Sequence, residues 1–88
     1  EIKIACPDDQ KFKIVDSLKN HFMQQYDCIT IDGVRILFDP TTWGIIRGSN
    51  TTPNITMRFE ALNQDRLKEV IEIVAKELKK HPNAERLK

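Results

Sequence analysis

The chain has 88 residues, 40% hydrophobic and 31% charged, and its 14 Lys and Arg against 13 Asp and Glu give a formal net charge of +1. That length supports one domain, that balance excludes a disordered tail, and no run of about 20 apolar residues is available to span a membrane. A nucleic-acid-binding domain carries a clear basic excess, which is missing here, so any anion site must be built from locally placed donors.

The chain opens at Glu1 in what reads as mid-strand, as a piece of a longer protein would. Ile2, Ile4 and Cys6 alternate with Lys3 and Ala5, a short strand of period two. Pro7 pushes Cys6 towards an extended backbone and sets φ for a helix start, and Asp8 and Asp9 suit the positive end of the helix dipole. Phe12, Val15, Leu18 and Phe22, widened by Ile14, give an apolar stripe at helical spacing and predict a helix over 8–25. A second strand is expected over 27–32, with Ile29 and Ile31 on its apolar face, and Asp32-Gly33 is a hairpin signal. Val34, Ile36 and Phe38 alternate with Arg35 and Leu37. Asp39-Pro40 turns the chain, residues 43–47 form the next strand, and 48–53 (Gly-Ser-Asn-Thr-Thr-Pro) form a loop. Ile55, Met57 and Phe59 alternate with Thr56, Arg58 and Glu60. A second helix is expected over 64–80, capped by Asn63 and stopped by His81-Pro82, with a polar tail over 83–88. The domain is therefore placed at 1–82. Its order, strand-helix-strand-strand-strand-strand-helix, predicts an α+β fold: an antiparallel sheet with two helices packed on one face.

The densest set of anion-binding groups is Arg47-Gly48-Ser49-Asn50-Thr51-Thr52-Pro53, followed by Arg58. A phosphate needs converging short hydrogen bonds and a fixed positive charge. Arg47 offers a planar fork, Gly48 permits close backbone approach, and Ser49, Asn50, Thr51 and Thr52 supply side-chain donors. Alternation points Arg58 away from the core. The same composition also describes an ordinary turn, so the residues alone leave the two readings balanced. His21 and His81 read as solvated helix histidines, Asp32 and Asp39 as turn residues, Trp43 as a core or rim aromatic, and 76–80 as a solvated helix end. No nucleophile–base pair and no metal-binding carboxylate cluster is legible, so no catalytic and no metal-ligating residue is assigned. Cys6 and Cys28 form no CxxC and no zinc pattern; counting leaves a disulfide between them open, and reduced thiols in a cytoplasmic protein are the simpler reading.

The stretches Asp32-Gly33-Val34-Arg35-Ile36-Leu37-Phe38, Trp43-Gly44-Ile45-Ile46-Arg47-Gly48-Ser49-Asn50-Thr51-Thr52-Pro53 and Met57-Arg58-Phe59-Glu60-Ala61 resemble the C-terminal, fourth domain of the α-D-phosphohexomutases, in particular the bacterial phosphomannomutase/phosphoglucomutase branch. The resemblance spans essentially the whole chain and is sharpest at Arg-x-Ser-Asn-Thr-x-Pro after Trp-Gly. Sister branches such as the phosphoglucosamine mutases tend to carry Ser-Gly-Thr there, and Asn50 fits the mannose/glucose branch. The resemblance implies an enzyme that interconverts hexose 1- and 6-phosphates through a bisphosphate. Its phosphoserine, its magnesium-binding loop and its sugar-reading loop would sit on other domains. It assigns Arg47, Ser49, Asn50, Thr51 and Arg58 to the substrate phosphate, expects Mg2+ in the full-length enzyme and none here, and expects the isolated chain to be inactive. The implied partners are mannose or glucose 1- or 6-phosphate and the enzyme's other domains, with no nucleic acid and no membrane. The alternative from the residues alone is a free-standing α+β binding module for RNA or another phosphate ligand.

Overall fold

In a computed structural model, which describes residues 2–82 and Ala84, the alternating segments pair into one antiparallel five-stranded sheet. The elements are β1 (Ile2–Ala5), α1 (Asp8–Met23), β2 (Asp27–Ile29), β3 (Val34–Asp39), β4 (Thr42–Gly48), β5 (Asn54–Glu60) and α2 (Gln64–Leu78). The sheet order is β1-β5-β4-β3-β2, so β3, β4 and β5 form a meander and α1 carries the chain from one edge strand to the other. Both helices cover one face, α1 on β3, β4 and β5 and α2 on β4 and β5. The α+β architecture is the one expected from the element order.

Strand parity decides what lies between the layers. Ile4, Val34, Ile36, Ile46, Ile55 and Met57 point inward and meet Ile14, Val15, Leu18 and Phe22 of α1 and Val70, Val74 and Leu78 of α2 in one buried cluster. Burying a side chain of this size fully is worth about 1.5–3 kcal/mol, and these carry the fold. The opposite face presents Arg35, Leu37, Trp43, Ile45, Arg47 and Arg58 in register across β3, β4 and β5.

Three expectations are corrected. β2 has three residues, and Ile29 pairs with Arg35, which puts its side chain on the open face. Ile29 and Ile31 are exposed, and it is Cys28, opposite Ile36, that packs inward. In α1, Phe12 is 53% exposed while its neighbour Lys11 is 4% exposed, because Lys11 finds partners beneath the 48–53 loop. The helices also end earlier than predicted, at Met23 and Leu78. Asn63 caps α2 as expected, its Oδ1 accepting the Arg66 N–H at 2.8 Å. Of the expected tail, Ala84 is buried in the core cluster and donates its N–H to the His81 carbonyl at 3.2 Å; residues 83 and 85–88 lie outside the described residues.

Candidate functional site

The 48–53 loop joins β4 to β5 and closes on itself. Ser49 donates its N–H to the Asn54 carbonyl at 2.9 Å, and Asn54 donates its N–H to the Thr52 carbonyl at 2.8 Å. Ser49 Oγ accepts the N–H groups of Thr51 at 3.3 Å and Thr52 at 3.2 Å and the Thr52 hydroxyl at 2.9 Å. A serine hydroxyl has one proton to donate besides the lone pairs used here. Ser49 therefore shapes the loop first and keeps one donor for a ligand. Asn54 Nδ2 donates to Thr52 Oγ1 at 2.9 Å. The loop's internal bonds thus run through Ser49, Thr52 and Asn54, and Asn50 and Thr51 stand exposed at its tip.

Gly48 does not serve the close ligand approach expected of it. It is buried on the helix-facing side, and a Cβ there would lie 2.8 Å from Phe12 ring carbons, so the missing side chain makes room for Phe12. Lys11 reinforces this junction. Its Nζ donates to the Thr52 carbonyl at 2.9 Å and to Asp8 Oδ1 at 2.7 Å, and Cys6 donates its N–H to the Pro53 carbonyl at 2.9 Å. Helix start, edge strand and loop are one knot.

The two predicted arginines share the open face of the sheet. Arg47 pairs with Thr56 and Ile45 with Arg58, which makes Arg47 and Arg58 diagonal neighbours at about 7–8 Å. Their guanidiniums have different partners. Arg47, 44% exposed, has its Nε 3.7 Å from Asp32 Oδ2, a loose ion pair. Arg58 leans over the Trp43 ring at 6.0 Å, and Arg35 covers the same ring at 4.6 Å. The backbone brings both guanidiniums to one face, and side-chain rotation would have to bring them to the loop tip. Behind Arg47 stands Gly33, at φ +94°, where a Cβ would come within 2.3 Å of the Ile46 carbonyl oxygen and 2.9 Å of Arg47 Cβ. Asp32, at φ 55°, completes a turn that needs positive φ at both positions.

Sequence reasoning missed Lys11, Arg35 and the Trp43 stack. The register of β3 on β4 would have placed Arg35 beside Ile45, and spacing alone could not supply it. Other residues have structural duties. Asp39 accepts the Thr41 N–H and hydroxyl, each at 3.0 Å, and two bonds from Arg66 at 2.9 and 3.1 Å. These bonds, the Thr41 N–H first and then Arg66, hold its carboxyl down at about 2. His21 is not isolated: its Nε2 lies 3.1 Å from Oε2 of Glu77, which is itself buried within the helix end expected to be solvated, with Lys80 at 2.8 Å from the other oxygen. Both cysteines are free thiols, and burial, with Asp9 beside Cys6 and Asp27 beside Cys28, pushes both up. Open surface clefts of about 420 and 360 Å³ flank Tyr26, away from the loop; Arg47, Asn50, Thr51 and Arg58 of the candidate site are all exposed.

The family described as phosphoglucomutase/phosphomannomutase, C-terminal domain, matches residues 1–77. The chain is 42% identical over 81 residues to a phosphomannomutase/phosphoglucomutase of Pseudomonas syringae pv. tomato, covering 91% of this chain and 17% of that protein. It is 36% identical over 80 residues to the phosphomannomutase/phosphoglucomutase of Pseudomonas aeruginosa, covering 90% of this chain and 17% of that protein. A crystal structure of a phosphoglucomutase/phosphomannomutase family protein from Burkholderia thailandensis superposes with a TM-score of 0.76 at 28% identity, over 98% of this chain and 18% of that one. The chain thus spans less than a fifth of the relatives it matches.

Proposed function

The chain belongs to the phosphoglucomutase/phosphomannomutase family, as its C-terminal domain, and from that premise we propose that the 48–53 loop with Arg47 and Arg58 grips the phosphate already carried by a hexose phosphate. The observation that carries the reading is the diagonal placement of two guanidiniums on the open face of β4 and β5, beside a loop whose tip exposes Asn50 and Thr51. Arg47 and Arg58 would leave Asp32 and Trp43 to meet the phosphate. Ser49 would donate its free proton and Asn50 and Thr51 their side-chain hydrogens. Hydrogen bonds to a charged group are worth roughly 1.5–3 kcal/mol each, and four or five of them hold an anion on a protein of near-neutral charge.

In this reading the chain breaks no bond. A phosphoserine on another domain of a longer mutase gives its phosphoryl group to a sugar 1- or 6-phosphate, a bisphosphate forms and reorients, and the other phosphoryl group returns. This domain anchors the non-reacting phosphate in both orientations and lowers the barrier by positioning, closing over substrate and opening for release. Among the described residues no three His, Cys, Asp or Glu side chains converge where a metal could sit. In this reading the magnesium of such an enzyme would be held by another domain. The isolated chain is expected to lack mutase activity, and a cytoplasmic setting suits a phosphosugar substrate. The RNA alternative finds little support on the open face, where Trp43, its aromatic, already has Arg35 stacked on it at 4.6 Å.

Amide-resolved NMR of the 88-residue chain tests the proposal. Glucose 6-phosphate should shift the amides of residues 48–52 and the Nε–H signals of Arg47 and Arg58 saturably, while glucose leaves them still. Loop signals that ignore the sugar phosphate would overturn it.

A further inference from the structure

Among the described residues, Lys11 is the one buried cation whose contacts lead into the candidate site. Its side chain is 5% exposed, on the second turn of α1, and its ammonium donates to the Thr52 carbonyl, 41 residues away, at 2.9 Å. A buried ammonium is costly unless paired and hydrogen-bonded, and the pairing here is divided: one bond goes to Asp8, whose own side chain is 73% exposed, and the other to loop backbone. The Thr52 carbonyl also accepts the Asn54 N–H at 2.8 Å. That carbonyl is where the loop turns back into β5, and the hydroxyl of the same residue donates to Ser49 Oγ at 2.9 Å. Phe12, next to Lys11, lies across Gly48 at the loop's other end.

We infer that Lys11 is a positioning residue for phosphate binding, which fixes the 48–53 loop in its gripping shape from beneath through the Thr52 carbonyl and couples that shape to the start of α1. It does not touch the ligand, because its ammonium is engaged by Asp8 and by the Thr52 carbonyl from beneath the loop. The inference rests on the phosphate-gripping reading for its ligand, but the clamp itself can be measured without one.

The experiment compares the 88-residue chain with Lys11→Met, which keeps the stem and removes the ammonium, with Asp8→Ala, which removes the ammonium's outer partner, and with Lys19→Met as a control. Lys19 pairs with Asp16 on the same helix, 2.9 Å away. Two readouts are taken: hydrogen exchange at the Asn54, Thr51 and Thr52 amides with no ligand, and the Kd for glucose 6-phosphate from loop amide shifts. Lys11→Met should speed exchange at these amides and weaken binding about tenfold, the equivalent of one charge-assisted hydrogen bond, with the sheet amides of β3 unchanged. Lys19→Met should leave both readouts alone. Unchanged loop exchange and unchanged Kd in Lys11→Met would overturn the inference. If Lys11→Met does not fold, Asp8→Ala decides: the buried ammonium loses its carboxylate partner and its hold on Thr52 loosens, so loop exchange quickens, and unchanged exchange refutes the clamp. If the unaltered chain ignores glucose 6-phosphate, the function proposed above fails, and the exchange data still judge Lys11.

Discussion

Arg47→Met should weaken glucose 6-phosphate binding roughly 30-fold, by about 2 kcal/mol. A charge pair about 4 Å apart near a protein surface is worth about 4 kcal/mol. Arg47 is 44% exposed, so solvent screens part of that, and the side chain must first leave Asp32 at 3.7 Å. Exposed ion pairs of this kind hold about 0.2–1 kcal/mol, so the competitor is weak. The same geometry predicts the opposite sign for Asp32→Asn: the rival carboxylate disappears and binding tightens about two- to threefold. Titrations at fixed ionic strength, followed at the loop amides, measure both, since added salt would screen the exposed charges in each. A change below about threefold in Arg47→Met, or weaker binding in Asp32→Asn, would refute the argument that Arg47 exchanges Asp32 for phosphate.

The scaffold makes its own predictions. Gly33→Ala forces a side chain to φ +94° and a Cβ to 2.3 Å from a backbone oxygen, and it should cost about 2–4 kcal/mol in urea unfolding; a cost near zero would mean the turn is rebuilt freely. Asp39 is held at about 2 in the folded chain against an ordinary 3.8. A lowered carboxyl stabilises the fold above its unfolded value, and that contribution drains away as pH falls from about 4 to about 2. The urea midpoint of the unaltered chain should therefore drop through this window while that of Asp39→Asn stays flatter, and parallel curves would refute it. Ile36→Ala, at a fully buried position, should cost about 2–5 kcal/mol, whereas Ile31→Ala, at a residue 85% exposed, should stay within about 0.5 kcal/mol.

Much of this was legible in residue order. Val34-Arg35-Ile36-Leu37-Phe38 and Ile55-Thr56-Met57-Arg58 announce their inner and outer faces, because a long strand with one buried side has its parity written into its own alternation. That parity sufficed to send Arg58 to the open face. β2 shows the limit. Its three residues follow the parity of β3, so Ile29 faces out although its side chain is apolar. Helical spacing chose Phe12 for the core, yet Phe12 is half exposed and its neighbour Lys11 is buried, because the Thr52 carbonyl that receives the Lys11 ammonium lies some forty residues further on. The pairing of His21 with Glu77 likewise joins two helices far apart in sequence. In the candidate site, residue types pointed to the donors, whereas only packing revealed that Ser49 spends its lone pairs inside the loop and that Arg58 rests on an indole.

That resting place has a practical use. Trp43 is the chain's single tryptophan, and two cations lie against its ring. In the proposed grip Arg58 leaves the indole for an anion, which changes the ring's electrostatic surroundings, so its emission colour and intensity would follow the arginine. The domain thus carries a native optical gauge for the proposed rotation, and rapid mixing with a sugar ester would time that motion without any attached dye.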